Sequence, residues 1–254
     1  MIIKNEIPIL EFDTEKSAVL NPGHEKLPLS LPEKAVFAFL GDEIDNYATR
    51  VGAKTVAYFE SATKNYPIYI TEYKGESVVL CQAPVGASPS AQIMDWLIGY
   101  GVRKIISAGS CGVLTDIEEN AFLIPYTCIR DEGTSYHYMP PSRYVDVDEV
   151  AISAIENALD NLNLTARKIK TWSTDGFYRE TKEKVEYRRS EGCETVEMEC
   201  SALCAVAKMR EATFGMLLYS ADTLAVLDRY LERDWGRNSK EKALAICFEA
   251  LSLL

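Results

Sequence analysis

Short apolar runs that favour β-strands alternate with longer segments of helical periodicity along most of this 254-residue chain. Residues 102–108, 167–172 and 213–219 are short, bounded runs typical of strands. The segment 148–162 carries apolar residues at 151, 152, 155 and 158, which share one face of a helix. Strands that alternate with helices predict an α/β layered fold with a mixed sheet. Further helices are predicted at 88–100, 181–189, 201–209 and 238–254, and further strands at 121–130 and 193–198.

The N-terminal half predicts an antiparallel portion of that sheet. Strand-like runs at 66–73 and 77–81 are joined by Lys74-Gly75, a pair suited to a hairpin turn. Runs at 34–40 and 55–59 precede them. Residues 1–33 hold prolines at 8, 22, 28 and 32 and form an irregular arm. The length fits one large α/β domain or two small ones, and no linker or repeat divides it. We therefore expect a single domain over 1–254.

The charge of the chain excludes several classes of partner. The formal net charge is −11 and no basic cluster exceeds two residues, so nucleic acid and anionic membranes would be repelled. A small anion is still allowed, because a local nest of backbone N–H groups can hold a phosphate. No signal peptide and no membrane-spanning run are evident.

Seven cysteines are scattered without a C-x-x-C motif, and only two histidines occur. Cys200 and Cys204 lie one helical turn apart in an apolar stretch, which favours core packing over metal binding. A zinc site is not expected, and the prediction is no metal and no cofactor. Reduced thiols indicate a cytoplasmic protein.

The segment 195–203, Thr-Val-Glu-Met-Glu-Cys-Ser-Ala-Leu, places two carboxylates where a strand should turn into an apolar helix. Strand alternation would put Glu197 and Glu199 on one face and Val196 and Met198 on the other. Neighbouring carboxylates repel, so they need water or a polyol to donate hydrogen bonds to them. Two adjacent sugar hydroxyls fit this requirement; an exposed acidic strand end fits equally well.

Four further segments follow predicted strands, where open α/β sheets place ligands. The glycines of 109–112 (Gly-Ser-Cys-Gly) would let backbone N–H groups approach an anion, although any tight turn uses glycine. Phe177 could stack on a planar base or belong to the core. Asp222 could act as a general acid if burial raises its pKa, or could cap a helix. The fourth segment is Gly41-Asp42.

Taken in this order, these segments resemble the nucleoside phosphorylases, the family of hexameric purine nucleoside phosphorylase and uridine phosphorylase. The resemblance runs from about residue 41 to 222 and includes the C-terminal helix. It implies a three-layer α/β/α fold with a central mixed, partly barrel-like sheet flanked by helices. Residues 196–199 (Val-Glu-Met-Glu) are its most specific element and are similar to the ribose-binding segment of the family.

The resemblance also implies roles for individual residues. Asp222 lies where the purine enzymes protonate N7 of the base, a residue that uridine phosphorylases lack. Phe177 would stack on the base, and a neighbouring subunit would contribute His24 to the ribose 5′-hydroxyl. Substrate binding is thereby expected at Phe177, Glu197, Met198, Glu199 and His24, and phosphate binding at Gly41, Lys64, Gly109 and Ser110.

The chain departs from the family at its phosphate-binding arginines. Asp45 and Ser107 stand at two of these positions and Lys64 at the third, and lysine lacks the bidentate fork of arginine. The glutamine and arginine that recognise uracil in uridine phosphorylases are replaced by Thr181 and Glu183.

The first hypothesis is a phosphorylase that favours purine nucleosides and uses phosphate as co-substrate. The alternatives are a nucleosidase, a uridine phosphorylase and a non-catalytic nucleoside-binding homologue. The family implies a homo-oligomer, dimer or hexamer.

Overall fold

The computed structural model describes all residues from 1 to 254, and its elements alternate as the sequence predicts. The strands are β1 (Ile2–Ile3), β2 (Phe12–Asp13), β3 (Lys34–Ala38), β4 (Lys54–Glu60), β5 (Asn65–Tyr73), β6 (Glu76–Gln82), β7 (Lys104–Val113), β8 (Phe122–Asp131), β9 (Tyr144–Asp146), β10 (Ala166–Thr174), β11 (Cys193–Glu197) and β12 (Thr213–Thr223). The helices are α1 (Glu43–Val51), α2 (Ala87–Gly99), α3 (Glu149–Asn161), α4 (Lys182–Ser190), α5 (Cys200–Arg210) and α6 (Lys240–Ser252).

The main sheet is mixed and partly closed. Its strands follow the order β11-β10-β8-β12-β7-β3-β6-β5-β4, and β11 also pairs with β7. That extra pairing closes a ring of five strands, β7, β12, β8, β10 and β11. The hairpins β4–β5 and β5–β6 form the antiparallel wing. The predicted mixed, partly barrel-like sheet is thus confirmed.

Helices cover the sheet because their apolar faces need burial. α2 packs on α5, and α3 packs on α6. α6 also contacts β7 and β3, and α5 contacts β12 and β8. A continuous cluster of buried apolar side chains extends from Leu31 to Leu251. No helix in the structure is both long and apolar enough to cross a bilayer.

Several predicted boundaries were wrong for identifiable reasons. The arm contains a short β1–β2 ribbon. α1 was not predicted, although Gly52 ends it at a positive φ of 67°. Gly86 rather than Ser88 precedes the first residue of α2, which ends at Gly99. Gly109–Gly112 lies inside β7 rather than in a loop, because strands pair with it on both sides.

Close packing of α3 on the sheet depends on Gly215 in β12. A Cβ atom at this position would lie 2.7 Å from the Cβ atom of Ala151 and 3.1 Å from Ile155 Cδ1. We expect Gly215→Ala to lower the free energy of unfolding by about 1–3 kcal/mol, the usual cost of overpacking. Urea denaturation measures this change. Gly133→Ala is the control, since its Cβ would make only ordinary contacts at 3.7 Å or more. Equal stability of both variants would contradict the prediction.

Candidate active site

The closed ring of strands brings distant segments of the sequence together around β7. In β12, Ser220 pairs with Cys111, and in β11, Val196 pairs with Gly112. A Cβ atom on Gly112 would lie 3.1 Å from Val196 Cγ1 and 3.3 Å from Asp222 Oδ1. Glycine is therefore required here by close approach. It places the predicted proton donor next to the strand that leads into the predicted sugar-binding segment.

Asp222 lies near the end of β12 and only 6% of it is exposed. Burial raises the pKa of its carboxyl group above the usual value, so the proton is retained to higher pH. The Arg233 guanidinium, whose charge lowers the pKa of Asp222, donates to the carbonyl oxygens of Ile117 (2.9 Å) and Ala221 (3.4 Å) instead of pairing with Asp222. A buried acid without an ion-pair partner is suited to proton donation.

Asp222 faces a cavity of about 560 Å³, a volume in the range of small-molecule sites. Phe177, which is 42% exposed, lies on the same cavity and packs edge-to-face with Tyr178, the ring centroids being 5.0 Å apart. Most other residues of the lining are hydrophobic. The structure thus brings together the two residues predicted to contact the base. The cavity is completed by Glu180, Lys182, Val185, Leu224, Val226, Leu227, Tyr230, Glu232 and Trp235.

Glu180 is a lining residue that the sequence analysis missed. It lies between the 3-10 turn Phe177–Arg179 and α4 and is half-buried. Burial, with the nearby negative charge of Asp222 as the next cause, raises the pKa of Glu180 to about 7. An acidic residue before a helix is a common N-terminal feature, so the sequence held no signal that this one faces a cavity.

Both carboxylate oxygens of Glu197 accept hydrogen bonds from other groups of the protein. Its Oε1 accepts a hydrogen bond from Ser173 Oγ, and its Oε2 accepts from the backbone N–H groups of Glu199 (2.7 Å) and Cys200 (2.6 Å). The last two bonds satisfy donors at the start of α5. Burial raises the pKa of Glu197 to about 7, although these hydrogen bonds oppose the shift. The expectation that both glutamates face water or a polyol is corrected for Glu197, since protein donors occupy both of its oxygens.

Glu199 precedes the first residue of α5 and has capacity left for a ligand. Its Oε1 accepts from Gly86 N at 2.5 Å, and no protein donor reaches its Oε2. Burial, reinforced by the charge of Glu197, raises the pKa of Glu199 to about 8. Met198 between them is half-buried. β11 ends at Glu197, so the predicted strand alternation does not extend to Glu199.

The predicted phosphate residues do not form a cationic cluster, and Gly109 and Ser110 lie within β7. Ser107 points into the core and donates to the carbonyl oxygen of Phe37 (2.5 Å), and Asp45 accepts from the Tyr69 hydroxyl (2.9 Å). Lys64 is exposed and donates to Gln82 Oε1 at 3.3 Å. Gly109 is buried against Phe39, whereas Ser110 is exposed.

Lys240 supplies a cation that the sequence analysis missed. Its Nζ lies 3.5 Å from the position of a Cβ atom on Gly41, which adopts a positive φ of 60°. Lys240 is the first residue of α6, and α6 packs on β3 and β7. The ammonium group is therefore adjacent to the first of the predicted phosphate-binding segments.

His24 does not join these residues within one chain. It lies in the N-terminal arm and contributes to a separate cavity of about 980 Å³, which His137 also lines. A role for His24 next to ribose therefore requires a second copy of the chain. It stays a prediction.

All seven cysteines are buried free thiols. Cys128 on β8 and Cys200 and Cys204 on α5 have sulfur atoms within 4.8 Å of one another, and the Cys128–Cys200 separation is 3.2 Å. Cys200 and Cys204 also belong to the main apolar core, as predicted. The absence of a metal or cofactor stays a prediction.

Comparison with known proteins agrees with this arrangement. The sequence profile of the Phosphorylase superfamily matches residues 33–252. The purine nucleoside phosphorylase DeoD-type of Dichelobacter nodosus is 31% identical over 141 residues, which is 53% of this chain and 58% of that protein. The chain aligns with 48–65% of the length of four curated relatives.

Solved structures share the fold. Purine nucleoside phosphorylase from Toxoplasma gondii in complex with immucillin-H superposes with a TM-score of 0.76 at 17% identity, covering 87% of this chain and 91% of that one. AMP nucleosidase from Bacteroides thetaiotaomicron superposes with a TM-score of 0.69 at 21% identity, covering 87% and 88%. The predicted α/β/α architecture is confirmed by these likenesses.

Proposed function

This chain belongs to the phosphorylase superfamily, and on that premise we propose that it is a nucleoside phosphorylase, a pentosyltransferase that acts on purine nucleosides. The reaction cleaves the N-glycosidic bond with inorganic phosphate and yields free base and ribose 1-phosphate. The observation that carries the proposal is the shared cavity of Phe177 and Asp222, an aromatic platform beside a buried acid. The relatives named as purine and guanosine phosphorylases support it.

Each side chain then has a defined task. Departure of the base leaves positive charge on the ribose and negative charge on the purine. Asp222 donates its proton to N7 as this charge develops. Glu199 accepts hydrogen bonds from ribose hydroxyls through its free oxygen, and Met198 packs on the sugar. Phosphate attacks C1′ from the opposite face and stabilises the cationic sugar electrostatically.

We propose that the phosphate lies between Gly41 and the segment Gly109-Ser110, with Lys240 in place of the missing arginines. Lysine acts on phosphate as a point charge rather than a bidentate fork. Lys64 would contribute from a neighbouring subunit, as would His24. The assembly would be a homo-oligomer, dimer or hexamer, in which neighbouring copies complete each site. The seven free thiols support a cytoplasmic location.

A second candidate is hydrolytic cleavage by a nucleosidase. It is favoured by the inward orientation of Ser107 and by the hydrogen bond that holds Asp45 to Tyr69, since neither residue can bind phosphate. Release of base from purine and pyrimidine nucleosides, measured by chromatography with and without phosphate, separates the two reactions. Phosphate dependence with formation of ribose 1-phosphate supports the phosphorylase. Equal release without phosphate contradicts it and supports the nucleosidase.

Lys240→Met tests the replacement cation, because it removes the charge and keeps most of the apolar stem. We expect the KM for phosphate to rise about 10- to 100-fold, the value of a lost hydrogen bond to a charged group, while the KM for nucleoside changes little. Steady-state kinetics at varied phosphate measures both constants. Lys242→Met is the control, since Lys242 is exposed on α6. An unchanged phosphate KM in Lys240→Met would contradict this role.

A further inference from the structure

The Glu180 carboxyl group is unusual in the cavity because the protein provides it with neither a hydrogen bond nor an ion pair. It is half-buried, lies three residues after Phe177 and lines the same cavity. A carboxylate withdrawn from water without a partner is unfavourable, and a ligand that supplies the missing hydrogen bond recovers that cost. The group is therefore placed to recognise whatever occupies the cavity.

The charged groups around Glu180 leave its carboxyl group free to bind a ligand in the cavity. Asp222 on β12 faces it with the same sign of charge, and Lys184 on α4 is the cation that most affects it. Lys184 Nζ, however, donates to Asp131 Oδ2 at 3.0 Å. On the loop after β12, burial raises the pKa of Tyr230 to about 12, and the charge of Asp222, a hydrogen bond to Asp222 and the charges of Glu232 and Glu180 add to this shift.

Two other charged residues of the lining are also engaged with the protein. Lys182 at the start of α4 pairs with Asp228, and Glu232 on the loop accepts from Trp235 Nε1 at 2.7 Å. Asp222 and Glu180 thus remain as two carboxyl groups that face one space.

Adjacent carboxyl groups match one edge of a purine. N7 is an acceptor on this edge, and beside it position 6 carries either an amino donor or a carbonyl acceptor. We propose that Glu180 hydrogen-bonds the substituent at position 6 of the purine whose N7 faces Asp222, and thereby determines which purine nucleosides are cleaved. This inference rests on the proposed function, because it assumes that a purine occupies the cavity.

The preferred substituent depends on the protonation of Glu180. An ionised carboxylate accepts from a 6-amino group and repels a 6-carbonyl oxygen, whereas a protonated carboxyl group donates to the 6-carbonyl. Because the pKa of Glu180 is raised to about 7, both forms exist near neutral pH. Lower pH should therefore favour 6-oxopurine nucleosides, and higher pH should favour 6-aminopurine nucleosides.

The test is the ratio of kcat/KM for adenosine to that for inosine, measured with phosphate across roughly pH 6 to pH 8. The two nucleosides differ at position 6. Titration of Asp222 alters donation to N7 in both, so most of its effect cancels in the ratio. We expect the ratio to rise about tenfold or more over this range in the unmodified protein, in step with deprotonation of a group of pKa near 7.

Two variants assign the effect to this residue. Glu180→Gln does not titrate and its amide can donate or accept, so its ratio should be nearly independent of pH. Glu183→Gln is the matched control, since Glu183 is exposed on α4 and absent from the cavity lining. It should keep the pH dependence. Thermal denaturation at each pH confirms that folded protein is compared.

The possible results separate this inference from the proposed function. A rising ratio that Glu180→Gln flattens supports the role of Glu180. Cleavage of both nucleosides with a constant ratio, or with the same slope in Glu180→Gln, overturns that role and leaves the proposed function intact. Absence of base release from any nucleoside, with or without phosphate, overturns both. If Glu180→Gln does not fold, the pH profile of the unmodified protein still decides, because a flat ratio overturns the inference.

Discussion

Asp222→Asn is expected to lower kcat/KM for purine nucleosides by about 10²- to 10⁴-fold, the usual contribution of a general acid. The asparagine amide can hydrogen-bond N7 but cannot transfer a proton to it. The side chains are almost the same size, so the packing against Gly112 should persist. Steady-state kinetics on the favoured purine nucleoside, with thermal denaturation to verify folding, measures the effect.

Asp228→Asn is the matched control. Asp228 is exposed, pairs with Lys182 near the rim of the cavity and does not line it. We expect its kcat/KM to stay within a factor of about three, because exposed ion pairs contribute little. Nearly full activity of Asp222→Asn would contradict proton donation by Asp222. It would also contradict the proposed preference for purine nucleosides, which depends on proton donation by Asp222 to N7.

The pH dependence of the unmodified protein should agree with this role. Burial raises the pKa of Asp222, so the acid form that donates the proton persists above the usual carboxyl range. As pH rises through that pKa the proton is lost, and activity on purine nucleosides should fall. Activity that increases steadily with pH would oppose the assignment.

The order of elements could be predicted because short strand-like segments alternate with longer segments of helical periodicity. Residues 167–172, 193–198 and 213–219 correspond to β10, β11 and β12 within a few positions. Their pairing could not be predicted from periodicity alone. In particular, the β11–β7 contact that closes the ring joins residues 112 and 196, which are far apart in the chain.

Part of the lining of the candidate site could be predicted from short segments of the sequence. Phe177 follows β10 and Asp222 lies near the end of β12, which extends beyond the predicted strand 213–219, and both line one cavity. Glu180 was missed because an acidic residue before a helix usually stabilises the helix N-terminus, and Lys240 because nothing in the sequence connects it with residue 41. Their nearness to Asp222 and Gly41 depends on which helices pack beside which strand ends, and that is a property of the tertiary fold.

The different environments of the two glutamates at residues 197 and 199 could not be predicted from the sequence. Their chemistry is the same in the sequence, and both are buried in the structure. Their difference comes from donors elsewhere, Ser173 on β10 and the backbone of Gly86 before α2. Glu197 accepts hydrogen bonds from several protein donors, whereas Glu199 accepts one from Gly86 N. The two glutamates therefore differ in the structure in the hydrogen-bond donors that surround them, although they look equivalent in the sequence.

Matched alanine substitutions should separate the two residues into a structural and a functional role. Glu197→Ala leaves Ser173 Oγ and the N–H groups of Glu199 and Cys200 without their acceptor in a buried place. Each unsatisfied buried group costs about 1–3 kcal/mol, with partial recovery by water, so we expect the free energy of unfolding to fall by about 2–4 kcal/mol. Urea denaturation measures this loss.

Glu199→Ala should instead retain stability and lose activity. It frees only Gly86 N–H, which is half-exposed and can bond water. The loss of two hydrogen bonds to ribose should lower kcat/KM about 10- to 100-fold, since each hydrogen bond contributes about 0.5–1.5 kcal/mol. Glu194→Ala on β11 is the control for both, because Glu194 pairs with the exposed Arg167. A Glu199→Ala protein that is as active as the control, or a Glu197→Ala protein that is as stable, would show that the hydrogen bonds of these residues do not set their roles.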